Sequence, residues 1–234
     1  MIILAIDTST DYLSLAILKA GRILAKFHEK ADRKHSMLLV PTIDKLVKKA
    51  KLNIGKIDCF AISVGPGSFT GLRIGITVVK GLAYALEKKI VAVPTLDVIA
   101  DNAKDFKGII CPVLDARKNK VYACLYKSDG KTVKKISRYL LLPVDELLKT
   151  LRQAQSLHPE RSRRMKKISK YDNVIFLGDF TMAGPVKINV RDWHPRAEIV
   201  AQLALEYFKK KKFVEAEDLE PLYLYSHACD ITGK

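Results

Sequence analysis

Two short runs of this sequence carry the residue types that handle anions. Asp7-Thr8-Ser9 closes an apolar run at the N-terminus, and Gly65-Pro66-Gly67-Ser68 lies between the apolar run 60–64 and the apolar-periodic run 74–86. A strand that runs into a Gly-Pro-Gly turn and then into a helix presents backbone N–H groups to a phosphate. The Asp-Thr-Ser run reads, on the same basis, as a second phosphate or metal loop. Each run has a plainer use. Glycines without side chains let two elements approach closely, and an Asp-Thr-Ser turn can satisfy its own backbone.

Motif by motif, the catalytic readings weaken. A phosphate-binding GxxxxGK[ST] loop needs a lysine that reaches the phosphates, and the first lysine after Gly65 is Lys80. The dinucleotide fingerprint GxGxxG needs a third glycine where this chain has Thr70. No GxSxG elbow surrounds Ser68. His28, His35, His158, His194 and His227 form neither HExxH nor HxxxH, which argues against a helical metal site. No local carboxylate pair calls for acid–base chemistry. The expectation is no catalytic residue and no metal ligand.

The elements that hold these runs follow from periodicity. Residues 1–8, 12–19 and 23–29 read as three antiparallel strands. Residues 33–49 switch to helical spacing, with Met37, Leu38, Ile43, Leu46 and Val47 apolar and Pro41 predicting a kink or break. Residues 57–64 are almost continuously apolar, as in a strand covered on both faces. The glycine turn and its helix follow. Gly71 and Gly75, four apart, share one helical face, and Gly81 falls on roughly the same side. Each glycine inside a helix costs about 1 kcal/mol relative to alanine, so close packing of another element is expected there. Residues 90–93 form a short strand, and Pro94-Thr95 opens a helix to about Asn102.

From residue 109 the order repeats: an apolar strand ending in Asp115, then strands over 120–126 and 131–142. Two related α/β halves are expected, residues 1–105 and 106–234, with the C-terminal segment able to pack back on the first half. A short helix over 143–151 precedes a basic, aperiodic stretch at about 152–170, where Glu160 is the single acid. That stretch reads as a surface insertion, and its contact with RNA is left open. A strand over 174–177 and a helix over 195–212, with Ile199, Leu203, Leu205 and Phe208 towards the core, complete the chain. The aromatic-rich stretch 221–225 could dock on a neighbour or fill a groove.

The 234 residues carry a formal charge of +16, with 48% hydrophobic and 28% charged residues. That composition suits a folded chain with a sizeable core, and the positive charge favours acidic partners such as nucleic acid. Asp7 and Asp11 interrupt the apolar N-terminus, so neither a signal peptide nor a membrane span is expected. Cys59, Cys111, Cys124 and Cys229 form no CxxC pair, in keeping with free thiols in a reducing cytoplasm.

MIILAIDTST, RKHSMLLVPTID, SVGPGSFTGLRIG, VPTL and LDARKNKVY together resemble the TsaB (YeaZ-type) family over most of residues 1–126. Beyond residue 145 the likeness thins to PLYL near the C-terminus. The resemblance implies the actin-like, Hsp70-like, sugar-kinase-like (ASKHA) α/β fold with two RNase H-like halves. It implies a non-catalytic paralogue of TsaD, the transferase that makes threonylcarbamoyladenosine at adenosine 37 of tRNA. The catalytic paralogue carries an HxxxH metal pair where this chain has PTLDVIA, residues 94–100.

The resemblance further implies a heterodimer with TsaD, assembly with the ATPase TsaE, and contact with tRNA only through the complex, in the cytoplasm and away from membranes. It also admits a homodimer. The partner surface maps to the helices 33–49 and 70–86, with His35, Leu38, Leu39, Thr70, Gly71, Ile74, Gly75 and Val78 as interface residues. Asp7, Thr8, Ser9 and Gly65, Pro66, Gly67, Ser68 become vestigial nucleotide loops. No cofactor is expected on this chain alone, with ATP and a metal in the partner subunits. The alternative is an ATP-dependent phosphotransferase or ATPase of the same fold. A metallopeptidase lacks its histidines.

Overall fold

The computed structural model describes residues 1–156, 174–179 and 193–224. The chain divides into two compact units, one of residues 1–102 with 194–223 and one of residues 103–193 with 224–234.

In the first unit, β1 (Ile2–Asp7), β2 (Tyr12–Lys19) and β3 (Arg22–Lys30) are antiparallel neighbours. β4 (Cys59–Ser63) and β5 (Lys89–Val93) add in parallel on the other side of β1, giving the order β3-β2-β1-β4-β5. β1 is the central strand and is covered on both faces, so its residues alternate between two cores. Leu4 and Ile6 join Phe60 and Ile62 beneath the helices α1 (His35–Lys49) and α2 (Phe69–Leu86). Ile3 and Ala5 join Val91 and Val93 beneath α5 (Ala197–Lys209). A short helix α3 (Thr95–Asp101) follows β5.

Residues 194–223 belong to the first unit. The reason lies in α5. Its deepest residues are Ala197, Val200, Ala201 and Ala204, fully buried against β1 and β2. Ile199, Leu203, Leu205 and Phe208, the expected core residues, are only partly buried at its flanks. Small side chains let the helix lie close to the sheet, and the large ones seal its sides. α1 runs through Pro41 without the break that was one of the two expectations there. Pro41 and Met37 are both exposed, so the carbonyl deprived of its donor can turn to water.

The second unit repeats the first. β6 (Lys107–Asp115) is its central strand. β7 (Lys120–Ala123) pairs with residues 113–115 of β6, and β8 (Tyr126–Asp129) with residues 107–110. β11 (Val174–Gly178) pairs in parallel with residues 109–113. Because β11 shares partners with both β7 and β8, those two must lie along the opposite edge of β6, as one strand interrupted at Cys124-Leu125. β9 (Val133–Lys135) and β10 (Leu140–Pro143) continue outward in the same interrupted way. The physical order is third, second, first, fourth, matching β3-β2-β1-β4. Leu147 and Leu151 of α4 (Val144–Ser156) close the core over Val121, Leu125 and Phe176. The duplication extends to detail: the Arg117 N–H bonds Asp115 Oδ1 at 2.8 Å, as the Ser9 N–H bonds Asp7 Oδ1 at 2.9 Å. The basic stretch 152–170 is described only as far as residue 156, so its main part lies outside the described residues.

Candidate functional site

β1 and β4 are parallel neighbours, and both suspected loops leave from their C-terminal ends, the usual place for a ligand in such sheets. Asp7 is completely buried there. Its Oδ1 accepts two hydrogen bonds from Ser9, from the backbone N–H and the hydroxyl, each 2.9 Å. Asp7 Oδ2, Thr8 Oγ1 and Ser63 Oγ make no well-formed hydrogen bond. Burial raises the Asp7 carboxyl above its ordinary range. Ser63, Ser9 and the positive side of His35 oppose that rise. Ser63 acts by proximity, since its hydroxyl and Asp7 Oδ2 are not aligned for a hydrogen bond.

Facing this strand end is the start of α2. Ser68 caps the helix, its hydroxyl accepting from the Gly71 N–H at 3.2 Å, while the Ser68 N–H donates to the Ser9 carbonyl at 2.7 Å. Gly65 is held from the side: its N–H donates to Thr95 Oγ1 at 3.1 Å and its carbonyl accepts the Thr95 N–H at 2.8 Å. The glycines at 67, 71 and 75 form a stripe pressed on the first loop. A Cβ at Gly67 would lie 2.3 Å from the Ser9 carbonyl oxygen, one at Gly71 2.1 Å from the Thr8 carbonyl oxygen, and one at Gly75 2.3 Å from Thr8 Oγ1.

One N–H of the turn that opens α2 is thus already occupied by the chain itself. A phosphate between the loops needs free N–H donors and space. Ser68 N–H is taken by Ser9, and the oxygen it meets would repel an anion. Among the described residues, no three His, Cys, Asp or Glu side chains converge. In α3, Asp97 accepts a hydrogen bond from the Tyr207 hydroxyl at 3.2 Å. That hydrogen bond and burial push the Tyr207 hydroxyl above its ordinary range, burial contributing most.

Placement of the expected interface residues divides them. Leu38 and Thr70 are exposed, and Ile74 and Val78 partly so. His35, Leu39, Gly71 and Gly75 are buried within the first unit. His35 Nε2 lies 3.2 Å from the Tyr12 carbonyl oxygen and holds the start of α1 to β2. Leu39 is core, and the two glycines face Thr8. Gly81, expected beside them, faces outward instead, with open space where its Cβ would be.

Residues not named as interface residues make up much of the outer surface of these helices. Met37 is 71% exposed, Val40 55%, Phe69 53% and Tyr84 81%. Arg73 stacks its guanidinium 3.9 Å from the centre of the Phe69 ring, and its Nε approaches the Tyr223 hydroxyl at 3.4 Å. The signal available was that both helices are apolar on more than one side, which in a water-facing helix calls for another cover. Among the described residues α2 alone is long and apolar enough to cross a membrane, with 33% of it buried.

A duplicated β3-β2-β1-β4 arrangement with a strand–glycine turn–helix closing on the first strand end defines an ASKHA-type α/β protein with RNase H-like halves. The comparisons narrow this. The family model described as TsaD, tRNA N6-adenosine threonylcarbamoyltransferase, matches residues 27–217. The tRNA threonylcarbamoyladenosine biosynthesis protein TsaB of Escherichia coli is 30% identical over 98% of this chain and 96% of its own length. TsaB of Bacillus subtilis is 37% identical over 54% of this chain and 56% of its own. The solved structure of YeaZ from Pseudomonas aeruginosa superposes with a TM-score of 0.72 at 30% identity, covering 95% of this chain and 99% of that one. The chain belongs to the TsaB (YeaZ) family.

Proposed function

We propose that this chain is an accessory subunit in the biosynthesis of threonylcarbamoyladenosine on tRNA, acting as a non-catalytic scaffold or activator of a TsaD-type transferase. The pathway is the one named for its relatives. The observation that carries the scaffold role is the outward apolar surface of α1 and α2, with Met37, Val40, Phe69 and Tyr84 exposed beside loops that close on each other. Large apolar side chains exposed on two helices are ones that a partner's helices would cover. Gly81 adds a flat spot on α2 where a partner backbone can approach.

In this reading the transferase pairs with the chain through α1 and α2, and a TsaE-type ATPase joins the pair. tRNA is met through the complex. ATP and the metal belong to the partner subunits, and the assembly works in the cytoplasm. A homodimer through the same helices is a competing occupant of the surface.

Mixing the purified chain with the TsaD-type protein of its own genome tests the proposal. A stoichiometric complex by size exclusion, with faster tRNA modification, is expected. No complex and no gain in modification would reject it.

A further inference from the structure

β3 is the outermost strand of the first sheet, and no described strand pairs with its outer edge. Two cavities lie along it. One, of about 310 Å³, is lined by the apolar side chains Leu13, Phe27, Leu38 and Leu46. The other, of about 370 Å³, is lined by Ile23, Leu24 and Ala25. Lys26 and Lys49 border both, so the two adjoin and together make a trough divided by those side chains along β3. Leu24 is 45% exposed at its end.

The rim is cationic. Lys26, Lys30, Lys45 and Lys49 line the trough. Lys26 meets Glu198 at 2.8 Å and Lys30 meets Asp11 at 3.5 Å. Lys45 and Lys49 make no ion pair among the described residues. Glu29 is the acid lining the smaller section, where all four lysines lie, and Glu198 the acid lining the other.

An unpaired strand edge offers backbone N–H and C=O groups to an added strand, and pockets beside it read alternate side chains of that strand. Lysines on such an edge disfavour pairing with a second copy, which would bring the same charges together. They favour a strand that carries carboxylates. We propose that the β3 edge binds an extended segment of another protein in which apolar residues alternate with Asp or Glu. The apolar residues enter the trough and the acids meet the lysine rim. This site shares Leu38 and one flank of α1 with the transferase surface proposed above, but its argument does not rest on that surface.

The test uses the full chain and a labelled synthetic probe, acetyl-Glu-Val-Glu-Ile-Glu-Val-Glu-amide, with binding read by fluorescence anisotropy and by amide shifts of residues 22–30. Saturable binding that moves those amides is expected. It should disappear when alternate peptide amides are N-methylated. It should weaken about tenfold in Lys45→Glu/Lys49→Glu, two exposed helix positions whose replacement leaves the thermal melt intact. Several results would overturn the proposal: no saturation, equal binding of the N-methylated probe, or equal binding by the charge-reversed variant. So would tighter binding of a Lys-Val alternating peptide or a short single-stranded RNA, or self-association that moves the same amides without peptide.

Discussion

The backbone N–H of Ser68 and the carbonyl oxygen of Ser9 are joined by a 2.7 Å hydrogen bond. That bond ties the turn opening α2 to the turn closing β1. A helix N-terminus recognises an anion by pointing unpaired N–H groups at it, and here the chain's own carbonyl occupies one of them. The glycine stripe at 67, 71 and 75 makes this approach sterically feasible.

Two alanine substitutions on the same helix should therefore have opposite effects. Gly71→Ala forces a methyl group against the Thr8 carbonyl, an overpacking that costs about 1–3 kcal/mol. Gly81→Ala meets open space and gains about 1 kcal/mol of helix propensity. Urea midpoints of the two variants against the parent chain check both signs.

Stability should also respond to pH through Asp7. Burial raises its carboxyl above 3.8 in the folded chain, so folding favours the protonated form. That contribution is fully present below pH 3.8, the unfolded value, and fades as pH climbs through the raised folded value. Asp7→Asn cannot ionise and keeps an oxygen for the Ser9 N–H. In urea titrations from about pH 4 to pH 8, the parent chain is expected to lose stability relative to Asp7→Asn. A parent chain that gains on the variant over that range would show that hydrogen bonding, not burial, dominates at Asp7.

The sheet that positions the loops was readable because its signals are local. Apolar runs ending in Asp7 and in Asp115, each followed by two more strands, predicted the duplication that the two central strands display. The direction of the glycine face was not readable. Four-residue spacing places Gly71 and Gly75 on one side of a helix, but when a helix is apolar on several sides, spacing does not say which side meets the sheet. Leu38 and Leu39 show the same limit: adjacent and alike in type, one is 37% exposed and the other fully buried. α5 was misjudged for a related reason. Hydrophobicity points to Leu203 and Phe208, whereas the distance between helix and sheet selects Ala201 and Ala204.

Charge placed on the outer helical surface should separate binding from folding. Val40→Glu/Tyr84→Glu replaces two exposed side chains and should leave stability within about 0.5 kcal/mol. Loss of apolar anchors at an interface costs about 2 kcal/mol or more, so affinity for the TsaD-type partner should fall roughly thirtyfold or more. Calorimetry of the complex and a thermal melt of the isolated variant measure the two quantities.

The buried thiols should be inert in the native state. Burial pushes Cys59 up to about 12, with Asp58 adding to the rise, and raises Cys111 as well. Thiolate is the reactive form. Mass-spectrometric mapping of iodoacetamide labelling near neutral pH should find Cys59 and Cys111 unmodified until denaturant is added.

Whether the outer surface or the loops carry the function is decided most directly by tRNA modification in a reconstituted mixture of the TsaD-type and TsaE-type proteins. Three forms of this chain would be compared: the parent, Asp7→Asn and Val40→Glu/Tyr84→Glu. Modification is expected to persist with Asp7→Asn and to collapse with the surface variant. Loss with Asp7→Asn in an intact complex, with the surface variant fully active, would contradict the scaffold reading and return the function to the loops.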